Sequence, residues 1–170
     1  MPAARKAAPR KNAVRAAPVE PAARVLRRFR VVFNAVKNHF REVEKKAGVA
    51  GAQLWALSVV RDRPGIGVSD LARAMDVHQS TASNLVRTLL ERNMVEVRKD
   101  AIDRRTVQLH LLPAGSKVLR RAPGPFAGVL PEALAALDAQ TLARLDTDLG
   151  TLIDALGVDK RDAGIPLGQP

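Results

Sequence analysis

From Val25 onward the large apolar residues fall at Val25, Leu26, Phe29, Val32, Phe33, Val36, Phe40 and Val43. That i, i+3, i+4 recurrence predicts a long amphipathic helix whose end is bracketed by Gly48 and Gly51. Leu54, Trp55, Leu57 and Val60 predict a second helix, stopped by Pro64-Gly65, and residues 66–68 are long enough only for a strand stub. Ser69 has the chemistry of an N-cap for a short helix that turns Leu71, Ala72 and Met75 inward. After a turn at Asp76-Val77, another helix runs from about residue 79 to residue 92. Its inward residues are Ala82, Leu85, Val86 and Leu89, and Asn93 ends it in the left-handed conformation. The period then drops from 3.6 to 2: Val95 and Val97, then Val107, Leu109 and Leu111, alternate with polar residues. Two strands joined by residues 99–105 therefore form a hairpin with a long charged loop. Pro113 opens a further helix, which Pro123-Gly124-Pro125 must kink or break. Leu142, Leu145, Leu149, Leu152, Ile153 and Leu156 define a last helix, and residues 158–170 are expected to be a loose tail. The predicted fold class is mostly α with a small β wing.

Composition narrows this picture. A chain of 170 residues makes about one domain at ~150 residues each. There is no cysteine, which removes disulfides, thiol chemistry and Cys-ligated zinc together. No run of 18 apolar residues is present, so no membrane partner is expected. The first residues, Met-Pro-Ala-Ala-Arg-Lys, lack an apolar signal core, so a cytoplasmic, nucleoid-associated location is expected. The net charge of +11 points to a polyanion, and its distribution says where. Residues 1–30 hold nine bases against one acid, residues 79–121 nine against four, and residues 122–170 only three against seven. Residues 1–21 are rich in Ala, Pro, Arg and Lys, and Pro2, Pro9, Pro18 and Pro21 interrupt any helix there. They are expected to be a disordered basic arm. Such an arm either tracks phosphates or serves as a solubilising tail or transit peptide.

Two short helices across a tight turn, followed by a hairpin, form a winged helix-turn-helix. Ala72 suits the crossing point, and Leu71, Val77, Ala82 and Leu85 suit the lock between the helices. Gln79, Ser80, Thr81, Ser83, Asn84 and Arg87 are left on the outer face of the second helix. Amides bond adenine edges, hydroxyls bond bases or phosphates, and guanidinium forks to guanine or phosphate, so this face suits duplex DNA. An ordinary solvated helix face is the alternative, and the basic hairpin directly after it argues against that. In the hairpin, Arg98, Lys99, Arg104 and Arg105 are candidate phosphate or minor-groove contacts, with Asp103 steadying the loop or an arginine. His78, at the start of the reading helix, is a further candidate DNA contact.

The stretch from Ser69 to Gly115, with Val68 before it, resembles the MarR (multiple-antibiotic-resistance regulator) family of bacterial transcription factors. The resemblance is carried by Val68-Ser69-Asp70-Leu71-Ala72-Arg73, Ser80-Thr81-Ala82-Ser83-Asn84-Leu85-Val86, Leu90-Glu91-Arg92, Asp103-Arg104-Arg105 before a strand, and Pro113-Ala114-Gly115. It implies a homodimer over residues 22–157, with a DNA-binding lobe at 52–112 and dimerisation helices at 22–51 and 113–157. It also implies recognition of a palindromic operator, Arg105 as the minor-groove reader with Asp103 as its support, and a cleft for a small aromatic or phenolic effector. The chain departs from the family's usual pattern at Asn93-Met94, Ala101, Leu112 and Asp76, where Gly-Leu, Pro, a Thr cap and a turn glycine are common.

Zero cysteine excludes the thiol-based peroxide sensors of that family. His39, His78 and His110 are far apart in sequence, so no metal is expected. A small organic effector is left, with Val36, His39, Phe40 and Trp55 as its candidate lining and plain core as the alternative role of Phe40 and Trp55. Arg61 or Arg63 nearby would suit an aromatic carboxylate. No cofactor and no catalytic residue is expected: there is no Ser/His/Asp arrangement and no glycine-rich phosphate loop. Two readings stay open, a ligand-responsive dimeric repressor and a non-specific nucleoid-type DNA organiser.

Overall fold

The structure, a computed structural model, describes residues 20–99, 107–158 and 163–167. Asp100 to Thr106, which hold Asp103, Arg104 and Arg105, and residues 1–19 of the arm lie outside the described residues. The described elements are α1 (Pro21–Ala47), α2 (Gly51–Asp62), α3 (Val68–Ala74), α4 (Gln79–Glu91), β1 (Val95–Lys99), β2 (Val107–Leu111), α5 (Pro113–Arg121), α6 (Val129–Ala135) and α7 (Ala139–Leu156).

α2 is the centre of the core. Leu54, Leu57 and Val60 meet Leu71 and Met75 from the α3 side, Leu85 and Leu89 from α4, and Leu109 from β2. Burial of such side chains stabilises by roughly 1.5–3 kcal/mol each, so these contacts hold the lobe together. β1 and β2 pair antiparallel with Val95 opposite Leu111, Val97 opposite Leu109 and Lys99 opposite Val107, which keeps the alternating apolar residues of both strands on one face. Val95 and Leu109 are buried, whereas Val97 and Val107 are exposed, because the hairpin runs out past the lobe. Ile66 supplies the predicted strand stub as a single bridge to Leu109.

Several expectations are corrected. Pro21 starts α1 rather than blocking it, because the first helical position has no use for the missing N–H. α3 begins earlier than expected: Gly67 is its N-cap, so Ser69 lies inside the first turn and is not the cap. Pro123-Gly124-Pro125 follows the end of α5 at Arg121, and the separate helix α6, absent from the sequence prediction, comes next. Pro131 is tolerated there because it lies in α6's first turn, where N–H groups have no helical partner. Within the segment expected to be a loose tail, residues 163–167 lie beside the start of α4 and line the cavity described below.

α1 and α7 differ from the lobe. Of α1's 27 residues only Val36 and Val43 are buried, while Val25, Leu26, Val31, Val32 and Phe33 are exposed. α7 buries none of its 18 residues, and its six large leucine and isoleucine side chains are all exposed. Asp138 caps α7 by accepting from the Thr141 backbone N–H at 2.9 Å and the Thr141 hydroxyl at 2.8 Å. Those bonds hold the Asp138 carboxyl below its ordinary range.

Candidate nucleic-acid interface and adjoining cavity

The turn between α3 and α4 rests on Asp76, whose φ of 50° is left-handed. A short polar side chain tolerates that conformation, so Asp76 serves where a glycine would be easiest. Val77 N–H bonds back to Ala72 O at 3.0 Å, and Ala72, Ala82 and Leu85 are buried at the crossing of the two helices. α4 is thereby fixed with one face out.

On that face Gln79, Ser80, Ser83, Asn84 and Arg87 are exposed. The Ser83 hydroxyl donates to Gln79 O at 2.8 Å, and the Arg87 guanidinium donates to Asn84 Oδ1 at 3.2 Å. Thr81 is the exception: it is only 9% exposed, so its expected place on the outer face is corrected. Thr81 and the buried Leu85 are four positions apart, about one helical turn, so the two share the inward side of α4. The helix N-terminus adds a partial positive charge at this end. Lys99 is exposed at the end of β1, and the exposed Arg98 donates from Nε to Glu96 Oε1 at 2.8 Å on the same strand. His78 does not stand free at the front of α4: its backbone N–H donates to Gly164 O at 3.2 Å, and its ring lies against Gly164.

Behind α3 and α4 lies a cavity of about 210 Å³. Val36, Phe40 and Trp55 line it with Met75, Val77 and residues 127–131. Three of the four predicted ligand-lining residues are thus brought together. His39 is not in the lining. Its Nε2 sits 3.0 Å from Pro125 O and its ring meets Phe40 edge-on at 5.5 Å, so it fastens the segment after α5. Gly51 lets the wall close up: a Cβ there would stand 2.1 Å from the Phe40 ring.

The expected cation is missing from the described lining. Arg61 stacks over the Phe126 ring at 5.2 Å and pairs with Asp62 at 2.7 Å, while Arg63 lies at a separate open cleft. The Arg61 hydrogen bond holds the Asp62 carboxyl below its ordinary range. Among the described lining residues Asp76 is the only charged one, so the expectation of a carboxylate held by Arg61 or Arg63 is corrected.

Two contributors escaped the sequence. Arg92, just past α4, donates to Gly48 O at 2.8 Å and Gln53 Oε1 at 3.2 Å. Residues 163–167 supply one side of the cavity. Neither shows in apolar periodicity; the residues around Arg92 carry only the weak hint of a family-like Leu-Glu-Arg.

Comparison with known proteins agrees with this architecture. The MarR family model matches residues 52–107, the span from α2 through the wing. A Thauera aromatica protein named as a transcriptional regulatory protein for the hcr operon is 32% identical over 123 residues, covering 72% of this chain and 69% of that protein. The crystal structure of S. aureus MepR with DNA superposes with a TM-score of 0.53 at 18% identity, over 79% of this chain and 95% of that one. The Streptomyces coelicolor regulator PcaV, solved with its natural ligand, gives 0.50 at 21% identity, over 82% and 99%. At those identities the two structures speak for the fold alone. Fold, family match and relative together place the chain in the MarR family of DNA-binding transcriptional regulators.

Proposed function

We propose that this regulator is a cytoplasmic, dimeric repressor that reads a palindromic operator and is released by a small aromatic effector. The observation that carries the reading is the exposed polar face of α4 beside a basic wing: Gln79, Ser80, Ser83, Asn84 and Arg87 stand where they can meet base edges and phosphates. Arg98 and Lys99 lead into the tip, where Arg105 is assigned to the minor groove and Asp103 and Arg104 to its support and to phosphate. Thr81 is left to the helix packing.

Dimerisation rests on α1 and α7. Apolar faces of that extent are a liability on a monomer and are covered when two copies pair them. Two lobes about one helical turn of DNA apart, ~34 Å, then match a two-fold site. The solved MepR complex holds DNA and the solved PcaV complex holds a ligand, which supports both activities for this fold.

The effector is proposed to occupy the cavity between Val36, Phe40 and Trp55. Its volume lies below the ~300–1,000 Å³ of drug-sized sites, which suits a compact, largely apolar aromatic molecule, a phenol included. Binding there releases DNA if it favours a dimer whose lobes are wrongly spaced.

Fluorescence anisotropy on a palindrome of roughly 16–20 base pairs, from the DNA upstream of the regulator's own gene, tests the reading. Preference over a scrambled duplex with a steep salt dependence is expected. Equal affinity for both duplexes sinks it and favours the nucleoid-type alternative, which draws on the nine bases of residues 1–30.

A further inference from the structure

Residues 163–167 touch two functional parts of the molecule at once. Ala163, Ile165, Pro166 and Leu167 line the cavity with Phe40 and Trp55. Between them, Gly164 O accepts the hydrogen bond from the His78 backbone at the N-cap of α4. The approach is close: a Cβ on Gly164 would stand 2.5 Å from His78 Cδ2 and 2.6 Å from Nε2. A side chain cannot be placed there unless the ring or the segment moves.

We propose that this segment is a built-in occupant of the cavity mouth, a strap docked in the groove between α1, α2 and the start of α4. Apolar side chains on an apolar wall supply the attraction, and the His78–Gly164 bond fixes the register. Ile165 and Leu167 remain about half to two thirds exposed, so the strap covers the cavity without being buried in the core. A small molecule entering from this side must displace it. The apparent affinity of any such ligand is then reduced by the fraction of molecules with the strap open. The consequence for DNA rests on the effector reading above; the docking itself does not.

Trp55 is the only tryptophan in the chain and lies in the cavity wall, so it reports on that site alone. Nitrobenzene, a neutral aromatic quencher, serves as the probe. In a chain ending at Val158, nitrobenzene quenches Trp55 at about one third of the concentration or less, because the closed fraction is removed. Gly164→Ala in the full chain shifts the curve in the same direction. His78→Ala/Gly164→Ala returns it toward the unmodified protein, since the ring that collides with the new Cβ is gone. The full-length variants keep the test valid if the shortened chain folds poorly, as far-UV circular dichroism would reveal. Unchanged quenching in the truncation and in Gly164→Ala overturns the proposal. If quenching responds as stated while no cavity ligand alters DNA affinity, the strap stands and the effector reading falls.

Discussion

The lobe built on α2 and the pair of helices α1 and α7 solve the same problem in opposite ways. In the lobe, Leu54, Leu57, Leu71, Leu89 and Leu109 are fully buried within a single chain. In α7, Leu142, Leu145, Leu149, Leu152 and Ile153 repeat the same chemistry at the same helical spacing, and each keeps more than a third of its surface in contact with solvent. Periodicity therefore tells which residues seek cover, and topology decides whether the cover comes from within the chain. The lobe has elements on every side of α2, whereas α7 has no described neighbour that seals it.

That contrast can be broken at the core first. Leu57→Ala should cost about 2–5 kcal/mol of stability, measured by urea unfolding, and should abolish DNA binding as the lobe loosens. The complementary change, Leu149→Glu with Leu152→Glu, should leave the lobe folded by circular dichroism and shift the molecule to monomer by light scattering. The expected loss is roughly 2 kcal/mol or more of association, since two apolar side chains lose their cover. If the double variant unfolds the lobe instead, the two regions are not separable. Arg87→Ala should weaken operator binding by ~1–3 kcal/mol with no change in melting temperature or oligomeric state, seen by anisotropy. The smallest effect belongs to the α7 cap. The Asp138 carboxyl is held below its ordinary range in the folded chain, so its contribution is present above the unfolded value of ~3.9 and is lost as pH falls through the folded one. Asp138→Ala should therefore lower the melting temperature at pH 7, and the difference should shrink as the pH is taken below that unfolded value.

Much of this was legible beforehand for a physical reason. Val95, Val97, Val107, Leu109 and Leu111 set the hairpin's register because a one-residue slip would turn every valine to the wrong face. Ala82, Leu85, Val86 and Leu89 placed the inner side of α4 in the same way. The misses lie where local patterns are silent. Thr81 has an outward chemistry and an inward place. α6 is hidden because Pro131 looks like a breaker until its first-turn position is known. Arg61 turned to Phe126, and His39 to Pro125, through contacts spanning 65 and 86 positions of chain that no window of a few turns reports.

Arg92 has a mechanical meaning. It grips the end of α1 through Gly48 O and the first turn of α2 through Gln53, and it is itself the residue on which α4 ends. The joint between α1 and α2 and the heel of α4, the helix proposed to read DNA, are thus pinned by one guanidinium. A tilt of α1 against α2 therefore either draws that heel along or breaks one of the two hydrogen bonds. A crankshaft with a single shared pin behaves the same way: a small rotation at one arm is felt at the other without any change in the parts between.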